Sequence, residues 1–206
     1  MAKAKVSPQF AGLIGGDKPL VTPNNKLKPL KQIYAVYEIE KRYVVITKEE
    51  DHSKNKNGLE TYNLVLEQGT KIRQGYIKDI QKAKEILDEL GIELDFRPNT
   101  IRFRQYGKKF ILTVKDRAET KKREVEWKLT RAQFNKYWPL TIGARIEKKR
   151  YVKKIKGFDV EIDAFTDRFL CIAEIEVDDE KMLPKTPKLG MDVTGDNKWT
   201  NKTLSK

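Results

Sequence analysis

Apolar and polar residues alternate along much of this chain, and the alternation has the two-residue period of a strand. In residues 36–45 the flanks are β-branched and aromatic, so a strand is predicted there. Glu38, Glu40 and Arg42 share one of its faces, and Tyr37, Ile39, Lys41, Tyr43 and Val45 share the other. Further strands are predicted over 59–67, with Tyr62, Leu64 and Leu66 on one face, over 71–77, and over 100–105 and 109–115. The last two flank Tyr106-Gly107-Lys108 and read as a hairpin. Residues 122–129, 145–155, 158–165 and 169–178 complete the set, with turns at Lys156-Gly157 and Thr166-Asp167. The period changes to that of a helix over 78–91, where Ile80, Ala83, Leu87 and Leu90 recur and Gly91 is a natural stop. Thr130 can cap a second helix that runs to Trp138 and is stopped by Pro139. Residues 1–31 hold several glycines and prolines among many lysines and read as a mobile basic extension. From Lys181 the chain is again rich in proline and glycine and is expected to run over the surface. The class is α+β, with about eight strands in a mainly antiparallel sheet and flanking helices.

Charge follows the same period. Arg102 and Arg104 share a face, as do Glu124, Glu126 and Lys128, then Lys148 and Arg150, then Asp159, Glu161 and Asp163, then Glu174, Glu176 and Asp178. Lys115 closes an otherwise apolar strand. A sandwich with every charged face in water satisfies this pattern, and so does a closed antiparallel barrel with a polar interior. The density of Glu-x-Glu and Arg-x-Arg pairs favours the barrel, because opposite charges neutralise each other across a lumen. A transmembrane barrel is set aside for want of an export signal and aromatic girdles.

The chain has 206 residues and a net charge of +13, which suggests polyanionic partners. One cysteine, Cys171, excludes an internal disulfide and fits a reducing, cytoplasmic setting. The one histidine, His52, leaves little room for histidine catalysis or a zinc site. A metal here would be a hard cation on oxygen ligands. No apolar run is long enough to span a membrane, and none marks a secretory signal. Arginines and lysines facing carboxylates suit a polyphosphate held together with Mg²⁺ or Mn²⁺.

These motifs resemble the CYTH proteins, also called triphosphate tunnel metalloenzymes. Glu38-Ile39-Glu40-Lys41-Arg42 is similar to the family's Glu-x-Glu-x-Lys signature, and Gln74-Gly75-Tyr76-Ile77 to its Gln-Gly-Tyr-Leu segment. Arg102-Phe103-Arg104 with Leu112-Thr113-Val114-Lys115, Arg123-Glu124-Val125-Glu126, and Lys148-Lys149-Arg150-Tyr151 follow in the family's order. Glu161-Ile162-Asp163, Glu174-Ile175-Glu176, Val193-Thr194 and the segment 201–204 complete the likeness, which covers residues 36–205. The resemblance implies an eight-stranded antiparallel tunnel over residues 32–206 that binds a triphosphate. It implies that Arg42, Arg102, Arg104, Lys115, Lys148 and Arg150 bind phosphates. Glu38, Glu40, Glu174 and Glu176 would hold Mg²⁺ or Mn²⁺, supported by Glu124, Glu126 and Asp163. Glu38, Glu40, Arg42 and Tyr76 would take part in catalysis. The expected activity is metal-dependent hydrolysis of a triphosphate, with inorganic tripolyphosphate ahead of ATP and thiamine triphosphate. Cyclisation of ATP, or binding of a nucleotide or RNA 5′ end without turnover, are the alternatives. One position departs from the pattern: Arg42 stands where the family has lysine. A guanidinium binds phosphate but is not a base at neutral pH. Either a metal-bound water then does the work, or Lys41 is turned inward by a bulge, or activity is reduced.

Overall fold

The computed structural model describes residues 30, 32–37, 39–50, 53–116 and 123–205. Glu38, His52 and residues 1–29 and 31, and with them the expectation of a mobile extension, lie outside the described residues, and residues 32–37 and 123 are described in backbone only. In chain order the elements are β1 (Gln32–Tyr37), β2 (Glu40–Thr47), α1 (Lys56–Gln68), β3 (Thr70–Tyr76), α2 (Ile80–Glu89), β4 (Pro98–Tyr106), β5 (Lys109–Asp116), β6 (Arg123–Leu129), α3 (Arg131–Tyr137), β7 (Arg145–Ile155), β8 (Phe158–Phe165), β9 (Leu170–Glu176), β10 (Met191–Asp192) and α4 (Asn201–Leu204). They fall into two compact units.

The first unit takes residues up to Tyr37, Gly75–Arg104 and Lys109–Ile142. Its strands lie in the order β1-β6-β5-β4, and the β1–β6 and β5–β6 ladders are antiparallel. Phe103, Leu112, Val114, Val125 and Trp127 fill one face of this sheet, against Ala83, Ile86, Leu87 and Leu90 of the α2 segment and Phe134 and Tyr137 of α3. Burying side chains such as Ile86 and Leu87 contributes about 1.5–3 kcal/mol each. Asp79 caps α2 by accepting from the backbone of Gln81 and Lys82, and Gly91 takes the left-handed conformation that ends it. Ile80 does not join the core; it is 68% exposed at the first residue of α2, although its spacing places it on the face that carries Ala83 and Leu87. Thr130 and Gln133 form a reciprocal capping box on α3.

The second unit takes residues 38–74, Gln105–Lys108 and Gly143–Lys206. Its strand order is β3-β7-β8-β9-β2-β10, and the β7–β8, β8–β9, β2–β9 and β2–β10 ladders are antiparallel. Tyr43, Ile46, Val160, Ile162, Ala173 and Ile175 form its main core with Tyr62 and Val65 of α1. The β7–β8 hairpin turns through Lys156 and Gly157, both at positive φ, as a two-residue turn between right-twisted strands requires.

The class is α+β and the ladders antiparallel, as the alternation predicts, but the described residues form ten strands. Among the described residues neither run closes on itself: β1 ends one and β10 the other. Two other expectations fail. The strand predicted over 36–45 falls in two strands: β1 ends at Tyr37 and pairs with β6, and β2 begins at Glu40 and pairs with β9. The strand predicted over 59–67 is the helix α1. Leu59, Tyr62, Val65 and Leu66 reach the core, and their spacing of three and four is that of a helix face. Asn55 accepts from the Gly58 backbone at its start; a Cβ at Gly58 would stand 2.6 Å from that capping oxygen. The tail from Lys181 does run over the surface, with most of its described residues exposed or half-buried, but it is pinned there. Val193, Trp199 and Leu204 pack with Val44, Ile146 and Phe165 in a smaller core of the second unit.

Candidate active site

Four strands of the second unit bring charge onto one face. The β2–β9 register sets Glu40 across from Glu176 and Arg42 across from Glu174. The β8–β9 register sets Glu161 across from Glu174, and β7–β8 sets Arg150 across from Asp163. Directly opposed side chains on one face stand about 5 Å apart at Cβ, so the alternation read from sequence becomes a contiguous ionic cluster.

Its bonds are short and shared. Arg42 donates from Nε to Glu174 Oε1 at 2.7 Å and from Nη2 to Glu40 Oε1 at 2.6 Å. Arg150 donates from Nε to Asp163 Oδ1 at 2.7 Å and from Nη2 to Asp163 Oδ2 at 2.6 Å, a bidentate fork. It also reaches Glu161 and, at 3.4 Å, Glu174 Oε2. Lys148, 1% exposed, donates to Asp163 Oδ2 at 2.5 Å and to Asn201 Oδ1 at 2.9 Å. Burial pushes the Lys148 ammonium down to about 8, although Asp163 pulls it back up. Burial acts against the charged form of Asp163 too, but Arg150 and Lys148 outweigh it and hold that carboxyl well below its ordinary value. Glu174 is likewise held low, by Arg42, Lys148 and Arg150 against its burial. Glu176 goes the other way: burial, then the charges of Glu161, Glu174 and Glu40, push it up to about 8.

The first unit carries a second cluster. Arg102 Nη2 donates to Thr113 Oγ1 at 2.9 Å and to Glu124 and Glu126 at 3.2 Å each. Thr113 Oγ1 in turn donates a hydrogen bond to Glu126 Oε1 at 2.7 Å. Lys115 pairs with Glu124 Oε2 at 2.6 Å. Arg104 is buried on the same face of β4 as Arg102, and Tyr76 is buried at the end of β3.

The sequence-predicted residues therefore fall into two groups. Glu40, Arg42, Lys148, Arg150, Asp163, Glu174 and Glu176 gather in the second unit, and Arg102, Lys115, Glu124 and Glu126 gather in the first with Arg104 and Tyr76 on neighbouring strands. Glu38 lies outside the described residues. Lys41 is not turned inward. It faces out and pairs with Asp192 at 2.8 Å, so it offers no base to the cluster. Thr113, Glu161 and Asn201 join the clusters without having been assigned a role from sequence. Alternation marks Thr113 and Glu161, since they share faces with Lys115 and Asp163; nothing local marks Asn201.

Buried ion pairs of this kind are weak sources of stability, since desolvation offsets their attraction. Their chemistry is better suited to exchanging partners with a charged ligand. Among the described residues no three acid, histidine or cysteine side chains already form a metal cage. The donor set still fits a hard cation. Glu40, Glu161, Glu174 and Glu176 offer oxygen only, and the repulsion from Glu161, Glu174 and Glu40 that adds to burial at Glu176 is what a divalent ion would relieve. Among the described residues no helix is long and apolar enough to cross a membrane.

Comparison with known proteins gives a consistent answer. An inorganic triphosphatase of Nitrosomonas europaea is 32% identical over 111 residues, covering 51% of this chain and 74% of the relative. An inorganic triphosphatase of Acetivibrio thermocellus is 34% identical over 129 residues, covering 60% of this chain and 83% of the relative. A solved structure of an inorganic triphosphatase superposes with a TM-score of 0.50 at 26% identity, covering 82% of this chain and 95% of that one. No family model matches the chain.

Proposed function

Because the chain belongs to the CYTH, or triphosphate tunnel metalloenzyme, family, we propose that it hydrolyses a triphosphate, with inorganic tripolyphosphate as the substrate. The observation that carries this reading is the second unit's cluster, where arginines and a lysine are shared among more carboxylates than they can neutralise. Arg42, Lys148 and Arg150 would bind phosphate oxygens there, and Arg102, Arg104 and Lys115 would do so in the first unit. Each guanidinium suits a phosphoryl group in a bidentate fork. Glu40, Glu174 and Glu176, with Glu38, would hold Mg²⁺ or Mn²⁺, and Glu124, Glu126 and Asp163 would orient the cations. When bound, the metal supplies charge neutralisation on the phosphate and a more acidic water. Arg42 binds and orients rather than accepting a proton, and Tyr76 is left as the hydroxyl that could position the attacking water. Phosphoryl transfer needs little from a protein beyond such positioning and charge. Closure of the sheet into a tunnel is the part of the family architecture that this reading carries forward as a proposal. The relatives named inorganic triphosphatase support hydrolysis over cyclisation.

Phosphate release from tripolyphosphate, ATP and thiamine triphosphate, each with Mg²⁺, Mn²⁺ or EDTA, tests it. Metal-dependent release that prefers tripolyphosphate is expected. Cyclic AMP from ATP would point to the cyclase. Tight binding of a triphosphate or an RNA 5′ end without turnover would point to a binding module.

A further inference from the structure

We infer that Arg42 is a built-in counter-cation for Glu40 and Glu174, which a divalent ion must displace, and that Arg42 thereby couples binding of the ion to arrival of an anion. The inference rests on the reading that these glutamates hold the metal, and it adds a role for Arg42 as a positioning residue.

The geometry is specific. One guanidinium uses two of its donor groups on carboxylates from two strands, Nη2 on Glu40 of β2 and Nε on Glu174 of β9, at 2.6 and 2.7 Å. Its backbone is clamped: the Arg42 N–H donates to Thr194 Oγ1 at 3.1 Å, and its carbonyl accepts from the Val193 N–H at 2.9 Å. Any exchange of partners at this position therefore belongs to the side chain. The neighbouring carboxylates do not offer a substitute, since Glu161 and Asp163 are held by Arg150 and Lys148. Glu174 has its second oxygen turned towards Arg150 at 3.4 Å.

A divalent ion that takes Glu40 and Glu174 meets a positive charge already bonded to both. At such separations, repulsion between like charges is strong wherever water is excluded. An incoming phosphoryl or sulfate group changes the balance, because it offers the guanidinium a bidentate partner. Once Arg42 turns to the anion, both carboxylates are released to the ion. The two binding events then favour each other, and by linkage the coupling is reciprocal. A lysine in this place would be a single point charge without the fork that spans two carboxylates.

The test is a Mn²⁺ titration of the full chain, with free Mn²⁺ followed by electron paramagnetic resonance, in chloride and in sulfate at matched ionic strength. Wild type, Arg42→Met and Arg42→Lys are compared, and far-ultraviolet circular dichroism checks that each folds. Wild type is expected to bind Mn²⁺ weakly in chloride and more tightly in sulfate. Arg42→Met is expected to bind roughly ten-fold or more tightly than wild type in chloride and to lose the response to sulfate, with Arg42→Lys between the two. A folded Arg42→Met that binds Mn²⁺ no better than wild type overturns the inference while leaving the hydrolase reading intact. If that variant does not fold, the wild type decides alone, because an affinity indifferent to sulfate also overturns it. Absence of Mn²⁺ binding in every chain overturns it as well, and phosphate release in EDTA then shows whether the metal-dependent reading falls with it.

Discussion

The two clusters use the same residue types in opposite proportion. Among the described residues the first unit sets three cations, Arg102, Arg104 and Lys115, against two carboxylates, Glu124 and Glu126. The second sets three cations, Arg42, Lys148 and Arg150, against five carboxylates, Glu40, Glu161, Asp163, Glu174 and Glu176. An excess of cations suits an anion, and an excess of carboxylates suits a metal. The bonding differs too. Arg102 reaches its carboxylates at 3.2 Å with Thr113 between, whereas Arg150 grips Asp163 with two bonds of 2.7 Å or less. Arg102 shares its carboxylates with a hydroxyl and a lysine, whereas Arg150 holds Asp163 in a direct fork.

The sharpest way to break this contrast is to remove the central acceptor of each net. Asp163→Ala removes the bidentate partner of Arg150 and the one carboxylate bonded to Lys148, both buried, and is expected to cost about 3–5 kcal/mol even though Glu161, Glu174 and Asn201 remain. Glu126→Ala, whose partners keep Glu124, is expected to cost about 1–3 kcal/mol. Equal losses in urea denaturation at pH 7 would mean that the two nets do not differ. Next in size, Glu40→Gln is expected to raise the Mn²⁺ concentration needed for half-maximal phosphate release by roughly 10–100-fold. Arg102→Ala should leave that requirement unchanged and raise the KM for tripolyphosphate. A metal requirement that moves with Arg102 and not with Glu40 would reverse the assignment.

Thr113→Val tests the mediating hydroxyl on its own. It removes one acceptor from Arg102 and one donor to Glu126, and about 1–2 kcal/mol of stability is expected to go with it. No loss by thermal melt would show that Arg102 bonds the carboxylates equally well without it. The smallest effect lies on the outer face. The Lys41 bond, then those from Thr194, hold the Asp192 carboxyl at about 2, below its unfolded value of about 3.9. Its contribution is therefore complete above the unfolded value and fades as pH falls from about 4 to about 2. As an exposed pair, its loss in Asp192→Asn is expected to cost about 0.5 kcal/mol at pH 7. A difference from wild type that persists undiminished at pH 2 would assign the effect to something other than this charge.

Much of both nets was legible in the alternation of charge, because a strand has no other way to place Arg150 and Lys148, or Glu174 and Glu176, on one face. The partners were not, since register depends on which strands meet. Arg42 meets Glu174 only because β2 pairs with β9, a choice made far from either strand. Residues 59–67 show the limit of short windows: Tyr62, Leu64 and Leu66 satisfy a period of two, and Leu59, Tyr62 and Val65 equally satisfy a helix. The core they serve decided the matter. Asn201 was legible only as part of a motif, because its link to Lys148 spans 53 residues.

The partnership of β2 with strands made much later has a consequence for the order in which the protein acquires structure. Arg42 is separated by 132 residues from Glu174 and by 152 from Thr194. Contacts so distant in sequence close large loops, and such topologies fold slowly. During synthesis β2 therefore waits with neither neighbour made, its apolar half Tyr43–Ile46 exposed and its edges unpaired, open to aggregation. A nascent chain that stalls before β9 holds the candidate metal ligands of β2 with nothing across from them, and a chaperone that shields residues 40–47 would act on the vulnerable interval.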